Sequence, residues 1–138
     1  MLMGDFNAQS GVHSDFINSL ENPLDIKLKQ NLEALGITTN RYNSDKKVDT
    51  YGRNLIKMCK DLNLKIVNGR FGSDNEVGQF TCHKPTGQSV VDYVVVSDCL
   101  LPSIQNFSVY IFDRCMSDVH APICLDIKIA RQRKIRKI

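Results

Sequence analysis

The sequence predicts a mixed α/β domain, and three observations support this prediction. An amphipathic helix over 51–62 is followed directly by a strand over 63–68. The second half of the chain then contains four further strand candidates, separated by Gly, Pro and polar turns. Because a chain of 138 residues is long enough for one hydrophobic core, we expect a single two-layer or sandwiched α/β fold.

The chain is expected to start with a strand and a loop. The apolar residues Met1–Met3 indicate the end of a buried strand, and Gly4–Asn7 indicate the turn that follows it. Residues 8–22 are rich in Ser, Asn, Gly and Asp, a composition typical of a surface loop that holds functional groups.

Two helices are predicted after this loop. The first is a short helix over 26–35, closed by Gly36. The second, over 51–62, has apolar residues at helical spacing and should present one apolar face to a sheet. These residues are Leu55, Ile56, Cys59 and Leu62.

The second half is expected to be rich in β-structure. The four strand candidates are 78–83, 89–97, 104–112 and 121–129. The third candidate places Phe107, Val109 and Ile111 at alternate positions, which is the period of a half-buried strand. A polar turn over 84–87 separates the first two candidates.

The net charge of +3 is unevenly distributed along the chain. Six of the 18 basic residues lie in the last eleven positions, which contain no acid, so the rest of the chain has 12 basic against 15 acidic residues. A slightly acidic body argues against binding polyanions by bulk charge alone. We interpret the basic tail over 128–138 as a solvated terminus or a linker toward another domain, with an electrostatic arm for nucleic acid as the alternative.

Several classes of protein are excluded by the sequence pattern. The longest apolar runs, such as Val94–Val96, are far shorter than the ~20 residues of a membrane-spanning helix. Residues 1–5 lack the basic region of a secretory signal, so we expect an intracellular protein without a membrane partner. The five cysteines contain no C-x-x-C pair, which argues against a zinc ribbon or a disulfide framework.

Three short segments contain residues suited to phosphate chemistry. Asp5 and Asn7 lie two residues apart, so that an extended backbone would point both side chains to one side. Asp92 stands inside an apolar strand, where a buried carboxylate needs a partner. Asp118 and His120 precede the last strand, and a histidine near an acid can be an acid, a ligand or a phosphate contact. Taken singly, these residues also fit turns, strand ends or a surface histidine.

Taken in order, the three segments resemble the endonuclease/exonuclease/phosphatase superfamily. They are Gly4-Asp5-Phe6-Asn7, Ser89-Val90-Val91-Asp92-Tyr93-Val94 and Ser117-Asp118-Val119-His120-Ala121-Pro122. Four further pieces make the chain most similar to the endonuclease domain of non-LTR (LINE-type) retrotransposons. These pieces are Asn7-Ala8, 49–55, 66–70 and Phe80-Thr81.

This resemblance implies a fold, an ion and a reaction. The fold is a four-layer α/β sandwich with a divalent metal, usually Mg²⁺, at one rim of its two sheets. The reaction is hydrolysis of a phosphodiester by an activated water, and the retrotransposon branch nicks target DNA to leave a 3′-hydroxyl for reverse transcription. The implied partners are therefore target DNA and, in a longer polyprotein, a reverse transcriptase domain, and the implied location is the nucleus.

The resemblance also implies catalytic roles for four residues. Asp5 would orient or deprotonate the water, and Asn7 would hold a phosphate oxygen. Asp92 would pair with His120, fix its ring and favour its charged form beside the phosphate.

The resemblance assigns the metal to Asp118, and supporting substrate contacts to Thr81 and Ser117. In the family the acid and the histidine near the end of the domain are adjacent, whereas Val119 separates Asp118 from His120 here. Because a shift of one residue in an extended segment reverses a side chain, this insertion would turn Asp118 away from the metal.

The chain begins inside the domain that it resembles. Family members carry earlier strands with an Asn and a metal-binding Glu before the Gly-Asp-Phe-Asn segment. We therefore interpret 1–127 as the C-terminal half of a four-layer α/β sandwich whose N-terminal strands are missing. The missing half is then a candidate partner, and we expect the chain alone to be inactive. The alternatives are a non-catalytic nucleic-acid-binding remnant and a phosphatase or phosphodiesterase of the same superfamily.

Overall fold

The computed structural model describes residues 1–17, 23–116 and 118–130. These residues form a mixed α/β fold with two α-helices and several small antiparallel sheets. The helices are α1 (Pro23–Ala34) and α2 (Thr50–Asp61), and short 3₁₀ turns occur at Gly72–Asp74 and Leu101–Ser103. The strands are β1 (Leu2–Asp5), β2 (Leu64–Ile66), β3 (Cys82–Lys84), β4 (Gly87–Ser89), β5 (Asp92–Ser97), β6 (Ile104–Val109) and β7 (Ile123–Ile127). Within the described ranges, neither α-helix has the length and apolarity to cross a membrane.

The central sheet is antiparallel, with the strand order β1-β5-β2. Its register sets Asp5, the last residue of β1, directly opposite Asp92, the first residue of β5. Two antiparallel pairs complete the β-structure, β3 with β4 and β6 with β7. An isolated pairing of Cys82 with His120 joins β3 to the segment before β7. This pairing draws the predicted chemistry-bearing segments toward one end of the central sheet.

β5 is the centre of the hydrophobic core, because its two faces pack against different layers. Tyr93 and Val95 pack with the apolar face of α2 in one cluster. Val94 and Val96 point to the other side and pack with α1 and β6. The alternation of side chains along a strand explains why the whole apolar run is buried.

α2 begins at an aspartate that also holds the loop after β1. Asp49 Oδ1 accepts hydrogen bonds from the backbone nitrogens of Gly52, at 2.6 Å, and of Gln9, at 3.1 Å. A Cβ atom on Gly52 would lie 1.7 Å from the carbonyl oxygen of Gln9, so a glycine is needed for this approach. The helix N-terminus therefore fixes the segment that follows β1 and Asn7.

The predicted helices are confirmed with small shifts of their ends. The helix expected over 51–62 is α2, and the one expected over 26–35 begins three residues earlier, at Pro23. Proline is favoured at the first helical position, since it lacks a backbone N–H that would have no partner there. Gly36, with φ of 72°, lies just beyond the C-terminus of α1, as expected.

Two expectations about strands are wrong. The first strand is not buried, because β1 lies at the edge of the sheet and exposes about half of Leu2 and Met3 (49% and 47%). The strand expected over 89–97 is interrupted at Val90 and Val91. Their backbone nitrogens donate to side chains, Asp45 Oδ2 and Thr81 Oγ1, instead of to a neighbouring strand. β4 and β5 are separate strands for this reason.

The expectation that residues 8–22 form a surface loop is also partly wrong. In its described part, Ser10 and Asp15 have no exposed surface and Phe16 is 3% exposed. Polar residues are buried here because each finds a partner, as described below. Residues 18–22 of this loop and residues 131–138 of the basic tail lie outside the described residues.

Candidate catalytic site

Asp92 and His120 form the centre of the candidate site. The Nδ1–H group of His120 donates a hydrogen bond of 2.9 Å to Asp92 Oδ2, so the predicted pairing of these residues is present. The side chain of His120 is 36% exposed and that of Asp92 only 11%. The aspartate thus sets the ring orientation from the protein side, while the opposite ring edge faces outward.

Asp5 lies on that outward side of the ring. Its Oδ2 atom is 3.7 Å from His120 Nε2, and the side chain is 49% exposed. Among the described residues, Asp5, Asp92 and His120 form a group whose ligand atoms all lie within 4.8 Å of one another. Three residues separated by up to 115 positions in sequence are therefore assembled at one point.

Asn7 reaches the site by a turn instead of by the extended backbone expected from the sequence. Its φ is 47°, and its backbone nitrogen donates a hydrogen bond of 2.8 Å to Asp5 Oδ1. Aspartate commonly accepts a hydrogen bond from the residue two positions later in this way. The turn keeps both side chains on one cavity, and it uses one carboxylate oxygen of Asp5 while the other faces His120.

Two buried side chains fix the backbone of Asp92. Thr81 Oγ1 accepts hydrogen bonds of 3.1 Å from the backbone nitrogens of Val91 and Asp92. Asn68 Nδ2 donates to the carbonyl oxygen of Asp92 at 3.0 Å, and its Oδ1 accepts from Val94 N at 3.1 Å. Thr81 has no exposed surface, so it supports Asp92 from behind instead of contacting substrate. In the sequence, the signal for Asn68 was its place in the resembling segment 66–70.

The backbone near Thr81 also fixes His120. Ala121 N donates to the carbonyl oxygen of Thr81 at 2.8 Å, and His83 N donates to that of Val119 at 2.7 Å. These bonds form around the isolated pairing of Cys82 with His120. The two halves of the aspartate–histidine pair are therefore held by one short segment.

A cavity of about 180 Å³ opens beside this group. Its wall contains the predicted residues Asp5, Asn7 and His120, together with residues that sequence reasoning missed. These residues are Gln9, Asp49, Cys82, Lys84, Ser89 and Val91, of which Asp49, Ser89 and Val91 stood in resembling segments but were given no role. Lys84 is the cation among them, and the Lys-Pro-Thr-Gly turn that contains it was the available signal.

Asp118 is not part of this group. It is exposed and lines a neighbouring cavity that contains His83, Lys84 and Arg114. Val119, which separates Asp118 from His120, uses its carbonyl oxygen in the bond to His83. Asp118 therefore lies away from the group of Asp5, Asp92 and His120, which is the direction expected from the insertion of Val119. Ser117, predicted as a substrate contact, lies outside the described residues.

The predicted magnesium site does not fit the described residues. Mg²⁺ prefers an octahedron of oxygen ligands, and Asp118 belongs to no described group of three candidate ligands. The group that is present offers two carboxylates and an imidazole nitrogen, a donor set that suits Mn²⁺, Fe²⁺ or Zn²⁺ better. We therefore derive no chemical step through a magnesium ion.

Buried charges stabilise the scaffold behind the site. Arg70 makes two parallel hydrogen bonds to Asp15, at 2.7 and 2.8 Å, and both side chains are fully buried. Burial opposes ionisation of Asp15, but Arg70 and Arg41 outweigh it and hold the pKa of this carboxyl below its usual value. Burial in turn lowers the pKa of Arg41.

Tyr93 joins this scaffold to the loop beside the site. Its hydroxyl lies 2.8 Å from the carbonyl oxygens of both Ala8 and Val90, and 3.1 Å from Ser10 Oγ. Burial raises the pKa of this hydroxyl, which keeps it a neutral hydrogen-bonding group. Arg41 Nη1 donates to Ser10 Oγ at 3.1 Å and completes the network. The loop after Asn7 is therefore rigidly attached to β5.

Comparisons of this chain with models of protein families, with curated proteins and with solved structures gave no match.

Proposed function

We propose that this chain hydrolyses phosphodiester bonds, as a DNA-nicking endonuclease of the endonuclease/exonuclease/phosphatase type. The hydrogen bond between Asp92 and His120, with Asp5 on the other side of the ring, is the observation that supports the proposal. Hydrolysis needs a positioned water and charge neutralisation at the phosphate, and this group supplies an acid and an imidazole for these tasks. In this proposal the sheets are the C-terminal half of a four-layer α/β sandwich.

The proposed roles follow from the exposure of each group. Asp5 is the more exposed acid, so it accepts a proton from the attacking water. Asp92 is nearly buried and holds the ring of His120, which donates a hydrogen bond from Nε2 to a phosphate oxygen. The side-chain amide of Asn7 lies at the same cavity and donates to a second phosphate oxygen. The water oxygen then bonds to phosphorus while the bond to the leaving oxygen breaks, and the leaving oxygen takes a proton from solvent to become a hydroxyl.

A second function is favoured by the position of Asp118. Since this residue lies outside the group of Asp5, Asp92 and His120, the ion expected there lacks its other ligands in the described part of the chain. A non-catalytic domain that binds nucleic acid would use the same cavity without needing that ion. A phosphatase of the same superfamily would use it on a smaller ester.

Nicking of supercoiled plasmid by the purified chain tests the proposal. The reactions contain Mg²⁺ or Mn²⁺, with chelator and the His120→Ala variant as controls, and circular dichroism shows that each protein is folded. Because Asp5, Asp92 and His120 lie together within this chain, the proposal predicts nicking that requires both the ion and His120, in place of the inactivity expected from the sequence.

Two other outcomes would overturn the proposal. A folded chain that binds plasmid and leaves it intact with either ion would favour the non-catalytic function. A chain that releases phosphate from a small phosphomonoester, again through His120, and spares DNA would favour the phosphatase.

A further inference from the structure

A groove lined by aromatic and basic residues extends from the candidate site. The cavity beside His120 shares Lys84 with a second cavity of about 570 Å³, between the β3–β4 hairpin and the segment after β6. That second cavity shares His83 and Phe112 with a third one of about 390 Å³, which Tyr110 also lines. Because consecutive cavities share walls, they form one path across the surface. We call the path beyond Lys84 the aromatic groove.

The aromatic rings of the groove are arranged as a platform. The rings of His83 and Phe112 stack with centroids 5.2 Å apart and an interplanar angle of 27°. Gln88 Nε2 lies 2.9 Å from His83 Nδ1 and fixes the histidine ring. Tyr110, two residues before Phe112, lines the third cavity and is 56% exposed. Large aromatic rings that remain accessible and oriented by neighbours are suited to stacking against a flat ligand.

The charges of the groove distinguish among flat ligands. Lys84 and Arg114, both exposed, line the second cavity beside the stacked rings and outnumber its one acidic lining residue, Asp118. Cations next to aromatic rings match a polymer that alternates phosphates with flat bases. A base can stack in this way only when it is unpaired, since a duplex buries both of its faces in the stack.

We propose that the aromatic groove binds unpaired nucleotides next to the phosphate held at His120, so that the chain acts on single-stranded or locally opened DNA. Lys84, which lies between the two cavities, contacts the backbone phosphate, and the His83–Phe112 platform and Tyr110 stack on the bases. This inference rests on the proposed function, because that function places the scissile phosphate at one end of the groove.

Fluorescence anisotropy with a short labelled oligodeoxythymidine tests this inference in the presence of chelator, where no cleavage occurs. Base stacking on one aromatic ring contributes roughly 5- to 150-fold to affinity. We therefore expect Phe112→Leu and Tyr110→Leu each to weaken binding at least about 5-fold. Tyr110 is exposed, so its variant keeps the test valid if Phe112→Leu does not fold. Tyr51→Leu is the matched control, because Tyr51 is 66% exposed on α2 and outside the lining of these cavities.

An abasic strand of the same length separates the contribution of bases from that of phosphates. We expect the wild type to bind it more weakly than the oligodeoxythymidine, and Phe112→Leu and Tyr110→Leu to bind it as the wild type does. Lys84→Gln should weaken the binding of both strands equally. It should also make the negative slope of log affinity against log salt less steep by about 0.7, the value for one phosphate contact on a single strand.

Equal binding of the abasic and base-bearing strands by the wild type would overturn the inference. So would a closed duplex that binds as tightly as the single strand and is weakened as much by Phe112→Leu. The plasmid assay tests the hydrolytic function independently of this binding assay. Binding that depends on Phe112 in a chain that never nicks would leave the groove assignment and remove the hydrolytic one. Nicking that needs His120, with binding indifferent to Phe112, would do the reverse.

Discussion

Two of the aspartate-containing pairs among the described residues have opposite surroundings. Asp15 and Arg70 are fully buried and joined by two parallel hydrogen bonds, and Arg70 also donates to three backbone carbonyls. Asp92 and His120 are joined by a single hydrogen bond, and the imidazole is 36% exposed at a cavity. The proposed function therefore gives the two pairs different roles. A pair whose donors are all used inside the protein stabilises the fold, whereas a pair with one edge at a cavity can act on a ligand.

Asp92→Asn should have the largest effect, on activity. The amide keeps the shape of the side chain but brings no negative charge to the ring of His120, so we expect nicking to fall about 10²- to 10⁴-fold. Urea unfolding should change by less than about 1 kcal/mol, because an amide oxygen still accepts the Nδ1 hydrogen bond. Equal losses of activity and stability would mean that this pair, too, is mainly structural.

Asp15→Asn should have the converse effect. Removing one partner of a buried ion pair leaves Arg70 uncompensated, and we expect a loss of about 3–5 kcal/mol in the free energy of unfolding. Nicking per folded molecule should be unchanged. Lys57→Ala is the control, since it breaks an exposed ion pair with Asp61 on α2 and should cost no more than about 0.5 kcal/mol. A small loss in Asp15→Asn would show that the buried pair contributes no more than the exposed one.

The stability that Asp15 provides should depend on pH. Arg70 overcomes the effect of burial and lowers the pKa of Asp15 below its usual 3.8, so the folded state binds fewer protons than the unfolded state in this range. The contribution is therefore complete above the unfolded pKa and disappears as the pH falls through the folded one. Urea unfolding from about pH 6 to about pH 3 should show the wild type approaching Asp15→Asn. A constant difference between the two proteins would contradict the pKa direction.

Thr81→Val should have the smallest effect of these variants, and it should lower both stability and nicking. The change leaves the backbone nitrogens of Val91 and Asp92 without their acceptor, and we expect a loss of about 1–3 kcal/mol in stability. Nicking should fall less than in Asp92→Asn, since the carboxylate is displaced but present. Thr81→Ser restores the hydroxyl and should recover both properties. Failure of serine to recover them would assign the effect to packing.

The helices and the site pairing could be predicted from the sequence because their signals are local. α2 has a capping residue and apolar spacing within twelve residues. The pairing of Asp92 with His120 followed from a motif, together with the need of a carboxylate in an apolar strand for a partner. Both depend on residue types more than on exact geometry.

The buried charges could not be predicted, because their partners are distant in sequence. Asp15 and Arg70 are 55 positions apart, and the polar composition around Asp15 instead suggested a surface loop. The interruption between β4 and β5 has the same cause. Asp45, which accepts the hydrogen bond of Val90 N, comes from a segment 45 positions earlier. Local patterns contain no information about which distant side chain will accept the hydrogen bond of a backbone N–H in place of a neighbouring strand.

The register of β1 couples the charge of the site to the edge of the sheet. Asp5 and Asp92 are direct cross-strand partners, and two like charges in that position repel each other. A cation between them, whether on the imidazole or bound from solution, would relieve this repulsion and attach β1 more tightly to β5. The backbone amides of β1 should therefore exchange their hydrogens with solvent more slowly when a cation lies between the two carboxylates. Hydrogen exchange in β1 would then detect a cationic ligand at the site.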